Sequence, residues 1–119
     1  MSLKFDIRHV DNVAIIDLSG RITMGEAAGM LRDTIKELIA EDHKNILLNL
    51  GDVSYIDSSG LGELVGAFAT VGNRGGRLKL LHLQKRIKEL MQVTKLLTIF
   101  DVYDDEAQAV RGFGKAATA

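Results

Sequence analysis

Three apolar runs, each parted from the next by a stretch with helical periodicity, constrain the fold of this chain more than any other feature. Residues 13–18 read Val-Ala-Ile-Ile-Asp-Leu, residues 46–50 Ile-Leu-Leu-Asn-Leu and residues 78–83 Leu-Lys-Leu-Leu-His-Leu. Runs so short and so apolar suit interior strands. Between the first two, Ala28, Leu31, Ile35, Leu38 and Ile39 recur at helical spacing, with Arg32, Asp33, Lys36 and Glu37 on the opposite side. Between the second and third, Leu61, Leu64, Val65, Phe68 and Gly72 do the same. Strands alternating with helices in this way predict an α/β sheet whose neighbouring strands are parallel and joined by helical crossovers.

The ends of the chain modify that picture. Leu3, Phe5 and Ile7 alternate with polar residues, and Asp11-Asn12 supplies a turn, so a hairpin with the first run makes the sheet mixed. Gly51-Asp52 is expected to end the second strand, and Asn73-Arg74-Gly75-Gly76 to stop the second helix. Ile87, Leu90, Met91 and Thr94 define a third helix; residues 98–102 suggest an edge strand and residues 106–110 the start of a last helix. The expectation is one domain over residues 1–111, a mixed sheet of four or five strands with helices mainly on one side, and a frayed tail over 112–119.

Composition narrows the function. The chain has 119 residues, enough for one core without staples, and no Cys, so neither a disulfide framework nor a thiolate metal site is available. Fifteen Lys and Arg against 16 Asp and Glu give a net charge of −1, which offers no electrostatic case for nucleic acid or an anionic membrane. His9, His43 and His82 lack metal-ligand spacing, and the basic run Lys85-Arg86-Ile87-Lys88 reads as the solvated start of a helix. No apolar run is long enough to span a bilayer and the first residues lack an apolar signal core, so the expectation is a cytoplasmic protein without membrane insertion.

The stretch that carries chemistry is Asp57-Ser58-Ser59-Gly60-Leu61-Gly62, where a strand hands over to a helix. Ser and Asp side chains there can accept hydrogen bonds from the free amides of the first turn. The pattern is not a nucleophile elbow, because Ile56 and Asp57 stand where an elbow needs glycine before Ser58 or Ser59. It is not a dinucleotide fingerprint either, since Gly60, Gly62 and Gly66 are spaced one residue too far, and no Gly-Lys-Ser/Thr phosphate loop occurs. From the residues alone, Ser58 fits both a helix cap and a modification site, and Asp57 fits both a partner of the helix dipole and a contact for another protein. Ser59 reads as a cap or a bond to a loop amide. Gly60, Gly62 and Gly66 are poor helix formers and point to close backbone approach, either to the sheet or to a partner. Tyr55, placed with Ser54 in a loop before the motif, reads as an exposed partner contact or a half-buried lid with its hydroxyl in water, and Met24 as core filler or an exposed contact.

Together, residues 18–20 (Leu-Ser-Gly), the 46–50 run followed by Asp52-Val53-Ser54-Tyr55-Ile56, the 57–62 motif, Gly75-Gly76 and the 78–83 run resemble, nearly end to end, a free-standing STAS domain of the bacterial anti-sigma factor antagonist kind. The resemblance implies that Ser58 is phosphorylated by an anti-sigma factor that is itself a serine kinase. It implies that the unphosphorylated chain captures that factor, freeing a sigma factor for transcription, and that a serine phosphatase restores the active form. Asp57, Ser58, Ser59, Gly60, Leu61, Tyr55 and Met24 are the expected partner-binding residues. ATP would belong to the kinase; no catalytic residue, metal or cofactor is assigned to this chain. Alternatives are a constitutive STAS scaffold or accessory subunit in a stress-signalling or lipid-transport complex, and a small α/β nucleotide binder or enzyme.

Overall fold

The computed structural model describes residues 3–114. Strand β1 (Lys4–Val10) turns into β2 (Val13–Ile22); α1 (Glu26–Ala40), β3 (Asn45–Ile56), α2 (Ser58–Asn73), β4 (Arg77–Leu81) and α3 (Lys85–Val93) follow, then a 3₁₀ turn (Leu96–Thr98), β5 (Val102–Tyr103) and α4 (Glu106–Gly112). The sheet order is β1-β2-β3-β4-β5. The β1–β2 pair is antiparallel and the rest are parallel, so the sheet is mixed and five-stranded, as expected.

The apolar runs are nearly continuous because both faces of the central strands are covered. Ala14, Ile16 and Leu18 of β2 and Ile46, Leu48 and Leu50 of β3 face α1, α2 and α3 in one core, together with Leu31, Ile35, Leu64, Val71, Ile87 and Met91. The alternate residues Val13, Ile15 and Leu47 turn the other way and meet Ala109, Val110 and Phe113, so α4 alone covers the second face. Lys79 also points there. It is only 6% exposed, and its Nζ donates to the Gly112 carbonyl at 3.0 Å, pairs with Asp101 at 3.3 Å and lies between the rings of Tyr103 and Phe113. Its charge is thus satisfied where an unpartnered ammonium would oppose folding.

Five expectations need correction. Gly51-Asp52 does not end β3, which continues to Ile56. The pairing with β2 shifts there: Asp17 faces Asn49, but Ser19 faces Asp52. One extra residue is accommodated as a bulge. The Gly51 N–H donates to Asn49 Oδ1 at 3.1 Å and its carbonyl accepts from Gln84 Nε2 at 2.9 Å, so the displaced backbone groups keep partners. A second shift sets Tyr55, and not Ser54, opposite Arg21, which makes Ser54 and Tyr55 strand residues and not loop residues. The proposed edge strand over 98–102 is a 3₁₀ turn followed by a two-residue β5, because Phe100 is drawn into the main core. Gly72 is exposed, off the stripe assigned to it. At the C-terminus, Gly112 closes α4 and Phe113 is buried, while residues 115–119 of the expected tail lie outside the described residues.

Helix α4 is held to the far edge of the sheet by one arginine. Arg8 Nε meets Asp17 Oδ2 at 2.5 Å, and its other nitrogens reach Glu106 at 2.8 and 3.2 Å. Asn49 donates a further bond to Asp17 at 2.8 Å. Hydrogen bonding to Arg8 lowers the pKa of both carboxyls, and they raise that of the guanidinium. Because both acids titrate below their unfolded values of about 4, the clamp stabilises fully above that pH and is lost as pH falls through the folded values. The three side chains are 30 to 41% exposed, so solvent screening limits the effect to about 1 kcal/mol. Arg8→Met should lower the melting temperature near neutral pH, and the difference from wild type should narrow steadily as pH falls below about 4. A gap that stays constant through the acid range would show that the clamp is not its source.

The core supplies a second prediction. Leu64 is fully buried, whereas Phe68 is half-buried and meets Phe100 edge-on, with centroids 5.3 Å apart. By chemical denaturation, Leu64→Ala should cost about 2–5 kcal/mol, and Phe68→Ala about 1–3 kcal/mol, less than a fully buried phenylalanine.

Candidate functional site

The site forms where β3 ends and α2 begins. Asp57 is extended (φ −94°, ψ −175°) and is the N-cap of α2: its Oδ1 accepts from the Gly60 N–H at 2.9 Å, and its carbonyl accepts from Leu61 at 2.9 Å. Its second carboxylate oxygen does different work. Oδ2 accepts from the Met24 N–H at 3.0 Å, and the Asp57 N–H donates to the Ile22 carbonyl at 3.2 Å. One side chain therefore joins the start of α2 to the loop between β2 and α1. The Gly60 and Met24 amides, in that order, hold the Asp57 carboxyl below the usual carboxylate range, so it is ionised at neutral pH.

This geometry shows which residue caps the helix. The cap is Asp57, so Ser58 is the first residue of α2, exposed, with no capping duty for its hydroxyl. Ser59 is half-buried beside it. Leu61 is half-buried against the main core. Gly60 is buried, and a Cβ there would collide with the Ile22 carbonyl oxygen and with Ile56 Cγ2; it lets α2 approach β2 and supports the surface without forming it. Close approach to the sheet does not explain the other two glycines, because a Cβ on Gly62 or Gly66 meets nothing within 4 Å.

Of the other expected contact residues, Met24 is 76% exposed and Tyr55 41% exposed. Arg21 was not anticipated. Its guanidinium carbon lies 4.8 Å from the centroid of the Tyr55 ring, a cation–π contact that restrains both side chains. Nothing in the sequence pairs positions 21 and 55, since their register depends on the two bulges in β3.

The model of the STAS domain matches residues 4–109, nearly the whole described chain. The chain belongs to the STAS domain family. It is 36% identical over 102 residues to the anti-sigma-B factor antagonist of Bacillus subtilis, covering 86% of this chain and 92% of that one. With the anti-sigma F factor antagonist of Paenibacillus polymyxa it shares 28% over 111 residues, or 92% and 94% of the two chains. The Bacillus cell fate determinant SpoIIAA in its phosphorylated form superposes with a TM-score of 0.72 at 22% identity, over 92% of this chain and 98% of that one, which shows a common fold. Among the described residues of this STAS domain, no helix is long and apolar enough to cross a membrane.

The glycines of α2 give a contrast that stability measurements can read. Gly60→Ala should destabilise by about 1–3 kcal/mol or more, because backbone must move to admit the methyl group. Gly62→Ala and Gly66→Ala should each stabilise by about 0.5–1 kcal/mol, since both positions are open and alanine favours the helix. Equal effects at the three positions would contradict the tight contact assigned to Gly60.

Proposed function

We propose that this STAS domain is an anti-sigma factor antagonist switched by phosphorylation of Ser58. In this reading, the unphosphorylated chain binds an anti-sigma factor that is also a serine kinase, phosphorylation releases it, and a serine phosphatase resets the switch. The role is binding and not catalysis. The observation that carries the proposal is that Asp57 takes the capping position, leaving the Ser58 hydroxyl exposed at the first turn of α2. The names of the relatives from Bacillus subtilis and Paenibacillus polymyxa support the antagonist role, and a protein of the same fold exists in phosphorylated form.

The chemistry suits a switch. A phosphoryl group adds about −1.5 to −2 charge and three acceptor oxygens. At a helix N-terminus the fold tolerates that charge, because free amides and the positive end of the dipole face it. A partner fitted to a neutral hydroxyl beside one carboxylate would instead meet two adjacent anions. A hundredfold loss of affinity requires only about 2.7 kcal/mol. The docking surface assigned here is Met24, Tyr55 with Arg21, Asp57, Ser58 and Ser59.

Because Ser58 is not the cap, Ser58→Ala should block phosphorylation while leaving melting temperature and partner capture nearly unchanged. Ser58→Glu should fold normally and bind weakly, imitating the phosphate in part. Ser59→Ala should still accept phosphate. Mass spectrometry of the kinase-treated variants, with partner affinity and thermal melts, checks all three. Phosphate on Ser59, or full-strength capture by the phosphorylated wild type, would remove the mechanism.

A further inference from the structure

We infer that the outer edge of β1 is a self-association surface, pairing antiparallel with β1 of a second copy of this chain about a two-fold axis at Ile7. Strand β1 is the first strand of the sheet, with no neighbour on its outer side among the described residues. It pairs with β2 residue for residue from Lys4 to Val10, without a bulge, and contains no proline. Exposed edges are ordinarily blunted by such features, because an unpaired row of N–H and C=O groups is a template for another strand. Here Phe5 (37% exposed) and Ile7 (38% exposed) also stand on that edge, on the α1 side, where Phe5 lines an open groove with Met30 and Glu26.

Charge selects the partner and the register. Asp6 stands directly opposite Asp17 across the hairpin, a like-charge pairing, and has no ion-pair partner among the described residues. An axis at Ile7 sets Ile7 against its own copy and Phe5 against His9. It also brings Asp6 opposite Arg8 of the second copy, so that every residue of β1 has a partner. An axis at Asp6 would set Asp6 against itself and Lys4 against Arg8; an axis at Arg8 would oppose two arginines. The Ile7 register is the one that uses the full strand without opposing like charges, and it joins two five-stranded sheets into one. Ser58 lies beyond β3, two strands from this edge, so both copies keep their switch accessible.

Sedimentation velocity over a concentration series tests the surface, and the absence of cysteine from the chain allows a test of register. Wild type should reach twice the 13.0 kDa of one chain as concentration rises. Asp6→Lys, which removes the like-charge pairing with Asp17 and so should fold at least as well, should weaken association at least tenfold by opposing two cations across the interface. Ile7→Cys places a thiol against its own copy and should oxidise to a covalent dimer at least ten times faster than Lys88→Cys on the exposed face of α3. A wild type that stays monomeric at every concentration overturns the inference. So does undiminished association of a folded Asp6→Lys variant, or cross-linking of Ile7→Cys no faster than that of Lys88→Cys.

Discussion

The Asp57 carboxylate is the point on which the junction of β3, α2 and the β2–α1 loop depends. Its two oxygens serve amides 36 positions apart in neither sheet nor helix register: Gly60 at the start of α2 and Met24 in the loop leaving β2. A neutral cap such as serine could satisfy the first and not both with the same reach, since the second acceptor oxygen is what binds the loop. Through this residue the exposed side chain of Met24 and the exposed hydroxyl of Ser58 are fixed relative to one another. Gly60 makes the arrangement possible by removing the Cβ that would hold α2 away from the Ile22 carbonyl. The motif is thus a piece of geometry before it is a piece of chemistry, with the aspartate and glycine as the structural members and the first serine left free.

That geometry depends in turn on how β3 is built. The strand begins deep between its neighbours, where Ile46, Leu47 and Leu48 are shielded on both faces, and ends among exposed residues where only one face remains covered. Two bulges separate these regimes. Each extra residue on β3 reverses which side its successors face, and the second reversal lets Ile56 turn into the core opposite Ile22 while Tyr55 turns outward beneath Arg21. A strand without them would present the wrong side chains at its end. The first bulge remains stable because the displaced groups of Gly51 have partners in Asn49 and Gln84.

Much of this was legible in the sequence, and the limits have physical causes. The three apolar runs and the helical stripe of Ala28, Leu31, Ile35 and Leu38 specify an α/β sheet with parallel neighbours and helical crossovers, because burial imposes its period on the chain; the cover that α4 gives the second face was not read from them. The 57–62 motif marked the right junction. What it could not reveal was which of Asp57, Ser58 and Ser59 caps the helix, because all three residue types are good caps and the choice depends on where Met24 and Gly60 lie in space. Gly51-Asp52 looks like a strand break because most such pairs are; only the side chains of Asn49 and Gln84, supplied from within and beyond the strand, turn it into a bulge. Gly62 and Gly66 carried the opposite ambiguity. Their backbone freedom suggested tight packing, and the space around them is open.

Placing an exposed serine inside a helix start rather than in a free loop has an energetic consequence for the proposed switch. A phosphate on a flexible loop would reorganise that loop and take part of its effect as altered order. At Ser58 the backbone is already committed to helix by the Asp57 cap, so the new charge has little structure to change and acts where it is seen by a partner. A domain of this size has about 5–15 kcal/mol of stability, while about 3 kcal/mol suffices to change affinity a hundredfold. The two quantities can be separated only if the modified group is not itself part of what holds the fold. Asp57 is such a part, through both of its oxygens, and Ser58 is not. A neighbouring carboxylate that stays ionised also means that the added phosphate extends an existing anion at the surface, without placing any charge in the core.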